Sequence, residues 1–304
     1  MIALTIAEIA QLSNGTVSPF AEPTTLVAGP VVADSRLVVP GALFVAIPGE
    51  RVDGHQFAAQ AMADGARAVL ASRPVNVPAV VVDDTVAGLG VLARGYLNRL
   101  AAHVGPTVIG ITGSSGKTST KDIVAQLLSN HGPTVAPAGS FNTEVGLPLT
   151  VLRADAATRY LVLELSARGL GHIAYLCGIA RPSIGVVLNV GAAHLGEFGS
   201  RDAVAQAKGE LVEALPADGV AILNADDAAV AAMRLRTDAR VVTFGVEAAA
   251  DVSAVDIRLD ELARPAFRIV TAAGEVEVSL ALHGAHHVLN ALAAAAVALE
   301  VGVD

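Results

Sequence analysis

The sequence predicts an α/β protein in which a small first domain precedes a larger domain built on a mainly parallel sheet. After residue 106, continuous apolar runs alternate with helical segments, as is typical of parallel strands covered by helices. Before that point, shorter strand-like runs lead into a long helical pattern at 85–103, and Gly-Pro at 105–106 follows it. Three later segments alternate with period two, which predicts a few antiparallel strands.

The first domain is predicted to begin with a helix and to continue as a small α/β unit. Thr5 and Glu8 have the spacing of a capping box, and Gly15 can end the helix that they start. Strand, helix, strand and strand are then predicted at 42–47, 54–66, 66–71 and 78–84. The domain boundary is expected near residues 100–106.

The second domain is predicted to alternate strands with helices. The predicted strands are 107–112, 134–137, 160–165, 184–189 and 219–223, and the helices are 117–129, 145–152 and 201–214. Beyond a strand at 241–245, antiparallel strands are expected at 255–260, 266–272 and 275–282. A strong helix former within 284–302 closes the chain.

Composition excludes several classes of protein. Of the 304 residues 53% are hydrophobic, but no run reaches the roughly 18 apolar residues of a membrane span, and the start lacks the basic segment of a signal peptide. The net charge is -9 with no Trp, which argues against nucleic-acid binding. The single Cys177 excludes an internal disulfide and is expected to be a small buried hydrophobe. We therefore expect a soluble cytoplasmic protein.

The segment TGSSGKTS, residues 112–119, has the context of a phosphate-binding loop between an apolar strand and a helix. Gly113 and Gly116 let successive N–H groups and the helix N-terminus face an anion. Lys117 can reach a β- or γ-phosphate, and the Thr118 hydroxyl can ligate Mg²⁺. The common pattern would need glycine at 111, where Ile111 stands, so a glycine-rich turn is the ordinary alternative.

With the residues downstream, GITGSSGKTSTK at 110–121 resembles the nucleotide loop of the Mur ligase family, the ATP-dependent amide ligases of peptidoglycan precursor synthesis. The resemblance runs from Asp34 to the last helix. It implies that 1–103 binds a UDP-linked precursor, that 104–304 binds ATP, and that the family's C-terminal ligase domain is absent. The loop residues implied to bind ATP are Gly113, Ser114, Ser115, Gly116, Lys117, Thr118 and Ser119.

The resemblance also implies a metal site. The residues implied to hold Mg²⁺ are Thr118, Glu164 at the end of one strand, His194 after the next strand and Lys208 on a helix. The residues implied to be catalytic are Lys117, Glu164, His194 and Lys208. Lys208 is implied to be carbamylated, which requires a neutral amine and therefore a lowered pKa. Taken alone, Glu164, His194 and Lys208 have ordinary explanations: a solvated charge, a surface histidine and a residue on a solvated helix face, respectively.

Two further segments are implied to contact ligands. In LHGAHHVLNA, Asn290 and His286 match residues near the family's adenine, whereas His287 replaces an expected Asn and Ala285 an expected Arg. The residues implied to bind the UDP precursor are Ser35, Arg36, Asp53, His55, Asn142 and Thr143. Without the resemblance, DSR at 34–36 would be interpreted as a turn.

The segment FNTEVGLPL at 141–149 favours the dipeptide-adding member of the family, which joins D-alanyl-D-alanine to UDP-N-acetylmuramoyl-tripeptide through an acyl phosphate. ATP and Mg²⁺ are the implied cofactors, and a monomer is expected. Because the chain ends at Asp304, catalysis is expected to be impaired. The alternatives are a non-catalytic nucleotide- and precursor-binding fragment, the diamino-acid-adding ligase, and a folate polyglutamate synthetase, against which DSR and DGH (53–55) argue.

Overall fold

A computed structural model of the chain describes residues 2–191 and 198–303, which divide by their contacts into two units. Unit 1 comprises Met1–Pro106 and Glu144–Thr158, and unit 2 comprises Thr107–Thr143 and Arg159–Asp304. Both units combine helices with sheets that are mainly parallel, with a few antiparallel strands. The predicted α/β fold class is confirmed.

The described elements follow one another in this order: β1 (Leu4–Thr5), α1 (Ile6–Ser13), β2 (Thr16–Val17), β3 (Leu26–Val27), β4 (Val31–Val32), β5 (Leu43–Val45), α2 (Ala58–Ala63), β6 (Ala68–Ala71), β7 (Ala79–Val81), α3 (Thr85–Val104), β8 (Thr107–Thr112), α4 (Lys117–Ser129), β9 (Thr134–Val135), α5 (Gly146–Val151), β10 (Tyr160–Glu164), α6 (His172–Ala180), β11 (Ile184–Val187), α7 (Arg201–Glu213), β12 (Val220–Asn224), α8 (Ala228–Ala231), β13 (Arg240–Gly245), β14 (Val252–Leu259), β15 (Pro265–Thr271), β16 (Gly274–Ser279) and α9 (His287–Glu300).

Unit 1 contains a five-stranded sheet in the order β2-β7-β6-β5-β4, in which only the β2–β7 pair is antiparallel. The predicted capping box starts α1: the Thr5 hydroxyl accepts from the Glu8 N–H at 3.1 Å, and the Glu8 carboxylate accepts from the Thr5 N–H at 2.8 Å. The helix ends at Asn14 in the left-handed conformation (φ 56°), one residue before Gly15. The segment predicted as a helix at 54–66 divides into a 3₁₀ turn, Gly54–Phe57, and α2.

Unit 2 is built on a nine-stranded sheet, counted over the described residues, in the order β16-β15-β14-β13-β12-β11-β8-β10-β9. The pairs from β9 to β14 are parallel, and β14, β15 and β16 form an antiparallel extension at one edge. Ile109 and Ile111 face a core that includes α4 and α9, whereas the neighbouring Gly110 faces Leu211 of α7. Strand β8 is therefore central and covered on both faces, and its carboxyl end opens into the glycine-rich loop.

Helix α6 was not predicted from the sequence. Its residues, HIAYLCGIA, are apolar on most sides and are preceded by Gly171, which offers no side-chain cap. The cap comes instead from α7, since the Glu210 carboxylate accepts from the N–H groups of Gly171 and Ala174 at 2.6 and 3.0 Å. Helix formation here depends on a contact between elements far apart in the chain, and local pattern cannot indicate it.

Helix α5, predicted near 145–152, packs against α3 and belongs with residues 144–158 to unit 1. Among the described residues, no helix combines the length and the apolar character that crossing a membrane requires.

Candidate nucleotide-binding site

The glycine-rich loop connects β8 to α4 through residues 113–116. Gly116 has φ +80°, a conformation that strains other residues, and a Cβ there would lie 2.5 Å from Asn290 Oδ1. A Cβ on Gly113 would lie 2.9 Å from the Leu188 Cβ. In the part of the chain that the structure describes, no side chain caps the first turn of α4, so the N-terminal N–H groups of α4 can bind an anion.

The residues that follow β11 hold this loop in place. The Asn189 side chain accepts from the Ser115 N–H at 3.0 Å and donates to the Ser115 carbonyl at 3.2 Å. The Asn189 carbonyl accepts from the Ser114 N–H at 3.1 Å, and the Gly191 N–H donates to the Ser114 hydroxyl at 2.9 Å. Asn189 is the last residue of the predicted strand 184–189, and the structure makes it the main support of the loop.

Thr118 and Glu164 meet at the carboxyl ends of the adjacent strands β8 and β10. The Thr118 hydroxyl donates to Glu164 Oε2 at 2.9 Å and lies 3.1 Å from the Ser140 hydroxyl. Asn142 Nδ2 donates to Glu164 Oε1 at 2.7 Å, and Glu164 is only 2% exposed. Hydroxyl and carboxylate oxygens are the ligands that Mg²⁺ prefers, so this pair has the donor chemistry of a magnesium site.

Two lysines add positive charge near the loop. Lys117 Nζ donates to the Gly113 carbonyl at 2.8 Å; burial lowers the Lys117 pKa, and Glu164 opposes that shift. Lys208 is also buried, which lowers its pKa to about 8, and the charge of Lys117 acts in the same direction. No hydrogen bond or carboxylate partner of the Lys208 amine is found within residues 2–191 and 198–303. The positive charge of these two lysines favours an anion at the loop.

The predicted His194 lies outside the described residues. Among those that are described, no group of three or more His, Cys, Asp or Glu side chains is arranged to hold a metal ion. The described part of the predicted metal site is therefore Thr118, Glu164 and Lys208.

A cavity of about 370 Å³ lies beside the loop, which is within the size range of small-molecule sites. Its lining residues are Ser115, Gly116, Ser119, Leu188, Asn189, Asn224, Phe244, His286, Leu289 and Asn290. Of these, the loop residues, His286 and Asn290 were predicted from the sequence as ligand contacts, whereas Asn224 and Phe244 were missed. Asn224 is the last residue of a buried parallel strand, so the reasoning that selected Glu164 could have found it.

His287 is buried, and its ring packs on that of His286 with centroids 4.1 Å apart. Asn290 Nδ2 lies 3.2 Å from His287 Nδ1. Because the amide nitrogen can only donate, Nδ1 accepts this hydrogen bond. Burial lowers the His287 pKa, and His286 adds to that shift, which keeps the ring neutral and Nδ1 able to accept. His287 therefore orients Asn290 and is not among the residues that line the cavity.

In unit 1, the predicted Ser35 and Arg36 form a 3₁₀ turn with Asp34 as its N-cap. The Arg36 guanidinium bonds the Asp34 carboxylate at 2.6 Å and its side chain is 86% exposed. This hydrogen bond lowers the Asp34 pKa to about 2. Arg36 is therefore exposed to solvent while it forms an ion pair with Asp34.

Asp53 and His55 form a second network in unit 1. His55 Nδ1 and Asp53 Oδ1 are 2.6 Å apart, and His55 Nε2 accepts from the Ser72 N–H at 3.0 Å. Arg73 bonds the other Asp53 oxygen at 2.5 Å. Backbone and side-chain hydrogen bonds from His55 and Arg73 lower the Asp53 pKa. Both ring nitrogens of His55 have protein partners, so His55 stabilises the conformation of this segment, and Asp53 fixes the His55 ring through its hydrogen bond.

The predicted substrate residues 142 and 143 follow the exposed segment 138–141 in unit 2. Asn142 also has its carbonyl bonded by the Ser166 N–H at 3.1 Å, which ties it to the end of β10. The structure thus brings Asn142 to Glu164, a contact that the sequence did not predict.

Sequence profiles of known families match most of the chain. The Mur ligase middle domain matches residues 111–298, and the Mur ligase family catalytic domain matches residues 30–97.

Two curated relatives carry the same enzyme name. The UDP-N-acetylmuramoyl-tripeptide–D-alanyl-D-alanine ligase of Mycobacterium tuberculosis is 52% identical over 327 residues, covering 100% of this chain and 64% of that protein. The enzyme of that name from Escherichia coli is 40% identical and covers 99% of this chain and 66% of its own length. The chain therefore spans just under two thirds of the length of these relatives.

Solved structures agree with this comparison. MurF from Acinetobacter baumannii superposes with a TM-score of 0.90 at 35% identity, covering 99% of this chain and 66% of that one. MurF ligase from Thermotoga maritima, solved in complex with ADP, superposes with a TM-score of 0.78 at 34% identity, covering 91% and 64%.

Proposed function

Because this chain belongs to the Mur ligase family, we propose that it carries the ATP-binding and precursor-binding parts of an ADP-forming ligase. The proposed reaction joins D-alanyl-D-alanine to UDP-N-acetylmuramoyl-tripeptide in peptidoglycan precursor synthesis. The names of relatives that are 52% and 40% identical support this substrate pair. The observation that carries the proposal is the Thr118–Glu164 hydrogen bond beside a phosphate loop with an uncapped helix N-terminus. We further propose that the enzyme acts in the cytoplasm, where ATP is available.

In this proposal ATP binds with its phosphates at residues 113–118 and its base in the 370 Å³ cavity. The α4 N-terminus and Lys117 bind the phosphate oxygens, because aligned N–H groups and a cation favour negative charge. Lys117 now donates to the Gly113 carbonyl, an oxygen that a phosphate oxygen can replace as acceptor. Asn290 and His286 offer polar contacts to the base.

Mg²⁺ fits the oxygen donors of Thr118 and Glu164, and when bound it would neutralise charge on the β- and γ-phosphate oxygens. We assign these two residues to hold it. Asn142 orients the Glu164 carboxylate through its 2.7 Å hydrogen bond, as residues that hydrogen-bond to a metal ligand usually do. Further ligands from His194 and Lys208 are part of the proposal.

The proposed chemistry has two steps. The terminal carboxylate of the tripeptide attacks the γ-phosphorus of ATP, giving an acyl phosphate and ADP. The amino group of D-alanyl-D-alanine then attacks that acyl carbon, expels inorganic phosphate, loses a proton and forms the amide. Lys117 and the α4 N–H groups stabilise the charge on the transferring phosphoryl group, so catalysis consists mainly of positioning and charge stabilisation.

We also propose that Lys208 is carbamylated. Its burial and its pKa of about 8 support a larger neutral fraction than an exposed lysine has, and the neutral amine is the form that adds CO₂ with loss of a proton. The product is an anion that would balance Lys117. In the test, Lys208→Ala abolishes activity of a ligase-competent enzyme, and short carboxylic acids restore part of it. If neither they nor high bicarbonate restores any activity, the idea loses its support.

For the precursor, we propose that residues 1–103 bind the UDP end, with Ser35 and Arg36 near the diphosphate and with Asp53 and His55 shaping that segment. Asn142 and Thr143 are proposed to face the muramoyl part. The exposed guanidinium of Arg36 supports the diphosphate assignment. Residues 104–304 form the ATP-binding domain in this proposal.

Separate titrations of the 304-residue chain with Mg²⁺-ATP and with UDP-N-acetylmuramoyl-tripeptide test these assignments. We expect saturable binding of both, loss of ATP binding in Lys117→Met, and loss of precursor binding in Arg36→Met. Arg94→Met, at an exposed position on α3, is the matched control and should bind both ligands normally. If the unmodified chain binds no ATP, or if Lys117→Met binds it equally well, the proposal is refuted.

A second candidate is a nucleotide- and precursor-binding module without catalysis. Phosphate release decides between the two. Binding of both ligands without phosphate release in the presence of D-alanyl-D-alanine would support the module. Robust release that requires both substrates would establish the ligase in this chain and exclude the module. A precursor that lacks the third amino acid should not replace the tripeptide, since only the diamino-acid-adding ligase would accept it.

A further inference from the structure

Lys121 is the final residue of the loop motif TGSSGKTSTK, and none of the proposed functions uses it. It lies on α4, one turn after Thr118, and is 1% exposed. Fully buried lysines are rare unless their charge is compensated. The burial of Lys121 therefore indicates that its ammonium group has specific partners.

The partners of Lys121 lie in the segment that follows β9. Its Nζ donates to the Pro137 carbonyl at 2.7 Å and contacts the Gly139 carbonyl at 3.4 Å. The only other partner among the described residues is the Asp122 carboxylate at 2.7 Å, whose side chain is 66% exposed. Water competes for this exposed carboxylate, whereas the two carbonyls are the contacts that tie Lys121 to the segment after β9.

That segment needs an anchor, because residues 138–141 are exposed. Gly139 has φ +77°, and a Cβ there would have no neighbour within 4 Å, so the segment has little packing of its own. Directly after the carbonyls that Lys121 holds come Ser140, 3.1 Å from the Thr118 hydroxyl, and Asn142, 2.7 Å from Glu164. Lys121 thus holds the start of a segment whose end meets the Thr118–Glu164 pair.

We propose that Lys121 is a positioning residue that fixes the segment 137–142 through the Pro137 and Gly139 carbonyls and thereby sets Ser140 and Asn142 against Thr118 and Glu164. This inference rests on the proposed function in one respect, namely that the Thr118–Glu164 pair serves a Mg²⁺-nucleotide. Lys121 itself touches no ligand. It acts on the orientation of the Glu164 carboxylate, as partners behind a metal ligand commonly do.

The first test measures the segment without any ligand. A nitroxide label on Phe141→Cys reports local mobility at an exposed position, and Cys177 is buried and should not be labelled. We expect Lys121→Met to raise the mobility of the label and Lys121→Arg, which keeps a donor to the carbonyls, to return it toward the parent value. Asp122→Asn should leave it unchanged. Unchanged mobility in Lys121→Met would overturn the proposal.

The second test measures ATP affinity with and without Mg²⁺. Lys121→Met should reduce the gain in affinity that Mg²⁺ provides by about tenfold or more, while affinity without Mg²⁺ stays unchanged because the loop amides remain in place. Lys121→Arg should restore part of the gain. An equal loss with and without Mg²⁺ would indicate general destabilisation and would contradict a positioning role.

If Lys121→Met does not fold, as judged by circular dichroism, the double variant Ser140→Ala/Asn142→Ala replaces it. With Lys121 intact, that variant must show the same loss of the Mg²⁺-dependent gain, and a normal gain would overturn the inference. Should the unmodified chain bind no ATP at all, the proposed function fails, but label mobility still decides whether Lys121 holds the segment.

Discussion

The Thr118 hydroxyl donates to Glu164 Oε2 at 2.9 Å, across 46 positions of sequence. Thr118 lies in the first turn of α4 and Glu164 ends β10. The two meet because β8 and β10 pair in parallel with Glu164 opposite Ile111. Parallel strands place their carboxyl ends at one sheet edge, where ligands of open α/β sheets bind. This contact joins the phosphate loop to the proposed metal ligand.

Replacing the Glu164 carboxylate by an amide should remove the Mg²⁺ dependence of nucleotide binding and leave the fold intact. Glu164→Gln has nearly the same shape and can still accept from Thr118, but it lacks the charge that Mg²⁺ requires. We expect the gain in ATP affinity from Mg²⁺ to fall about tenfold or more by calorimetric titration. Glu213→Gln, exposed on α7, is the control, and equal gains in both variants would contradict the assignment.

A methyl group on Gly116 should cost more than the same change at Gly171. Both glycines are N-caps with similar φ, +80° and +85°, but a Cβ on Gly116 would lie 2.5 Å from Asn290 Oδ1 and one on Gly171 has no neighbour within 4 Å. Gly171→Ala should lower the free energy of unfolding by about 1–2 kcal/mol from backbone strain. Gly116→Ala should lose at least about 1 kcal/mol more, because Asn290 must also move.

Urea unfolding of these two variants gives the comparison, and ATP titration adds a second one. Gly171→Ala should bind ATP like the parent chain, whereas Gly116→Ala should bind it weakly. Equal losses of stability in the two variants would show that the Asn290 side chain can move away from residue 116 without an energetic penalty.

Loss of the Glu210 carboxylate should destabilise the protein more than loss of Glu213, an exposed glutamate that also lies on α7. Glu210 accepts from two N–H groups of the first turn of α6 and is 8% exposed. Glu210→Ala should lower the free energy of unfolding by about 1–2 kcal/mol, since it removes the acceptor of two N–H groups at the N-terminus of α6. Glu213→Ala removes an exposed contact with Arg236 and should cost less than about 1 kcal/mol. Equal losses in chemical denaturation would exclude the capping role.

Cys177 should be inert in the folded chain. Burial, with a smaller contribution from Glu210, raises the pKa of its thiol from 9.0 to about 12, so at pH 8 only about one part in ten thousand is thiolate. Iodoacetamide should therefore modify it slowly in buffer and fast in urea. Between pH 9 and about 12 the Cys177 thiol is ionised in the unfolded chain but neutral in the folded chain. The free energy of unfolding should therefore keep the full contribution of this group below pH 9 and lose it as the pH rises toward 12. Rapid alkylation of the folded chain would contradict the burial.

Local sequence chemistry was sufficient for the central elements of unit 2. The predicted helix 117–129 and strand 107–112 coincide with α4 and β8, because glycines, an amphipathic helix and a continuous apolar strand are all encoded within a few residues. The same holds for the capping box of Thr5 and Glu8. The glycine-rich loop and the family resemblance could therefore be identified from the sequence alone.

What only the tertiary structure decided is which distant groups meet. Asn290 fills the space beside Gly116, Glu210 caps a helix that no local pattern predicted, and Lys121 holds carbonyls 16 and 18 residues away. Each contact depends on strand order and helix packing, which bring together side chains whose separation in sequence carries no information about distance. The sequence by itself determined the kind of loop and its neighbouring elements, and the packing of those elements determined which side chains support it.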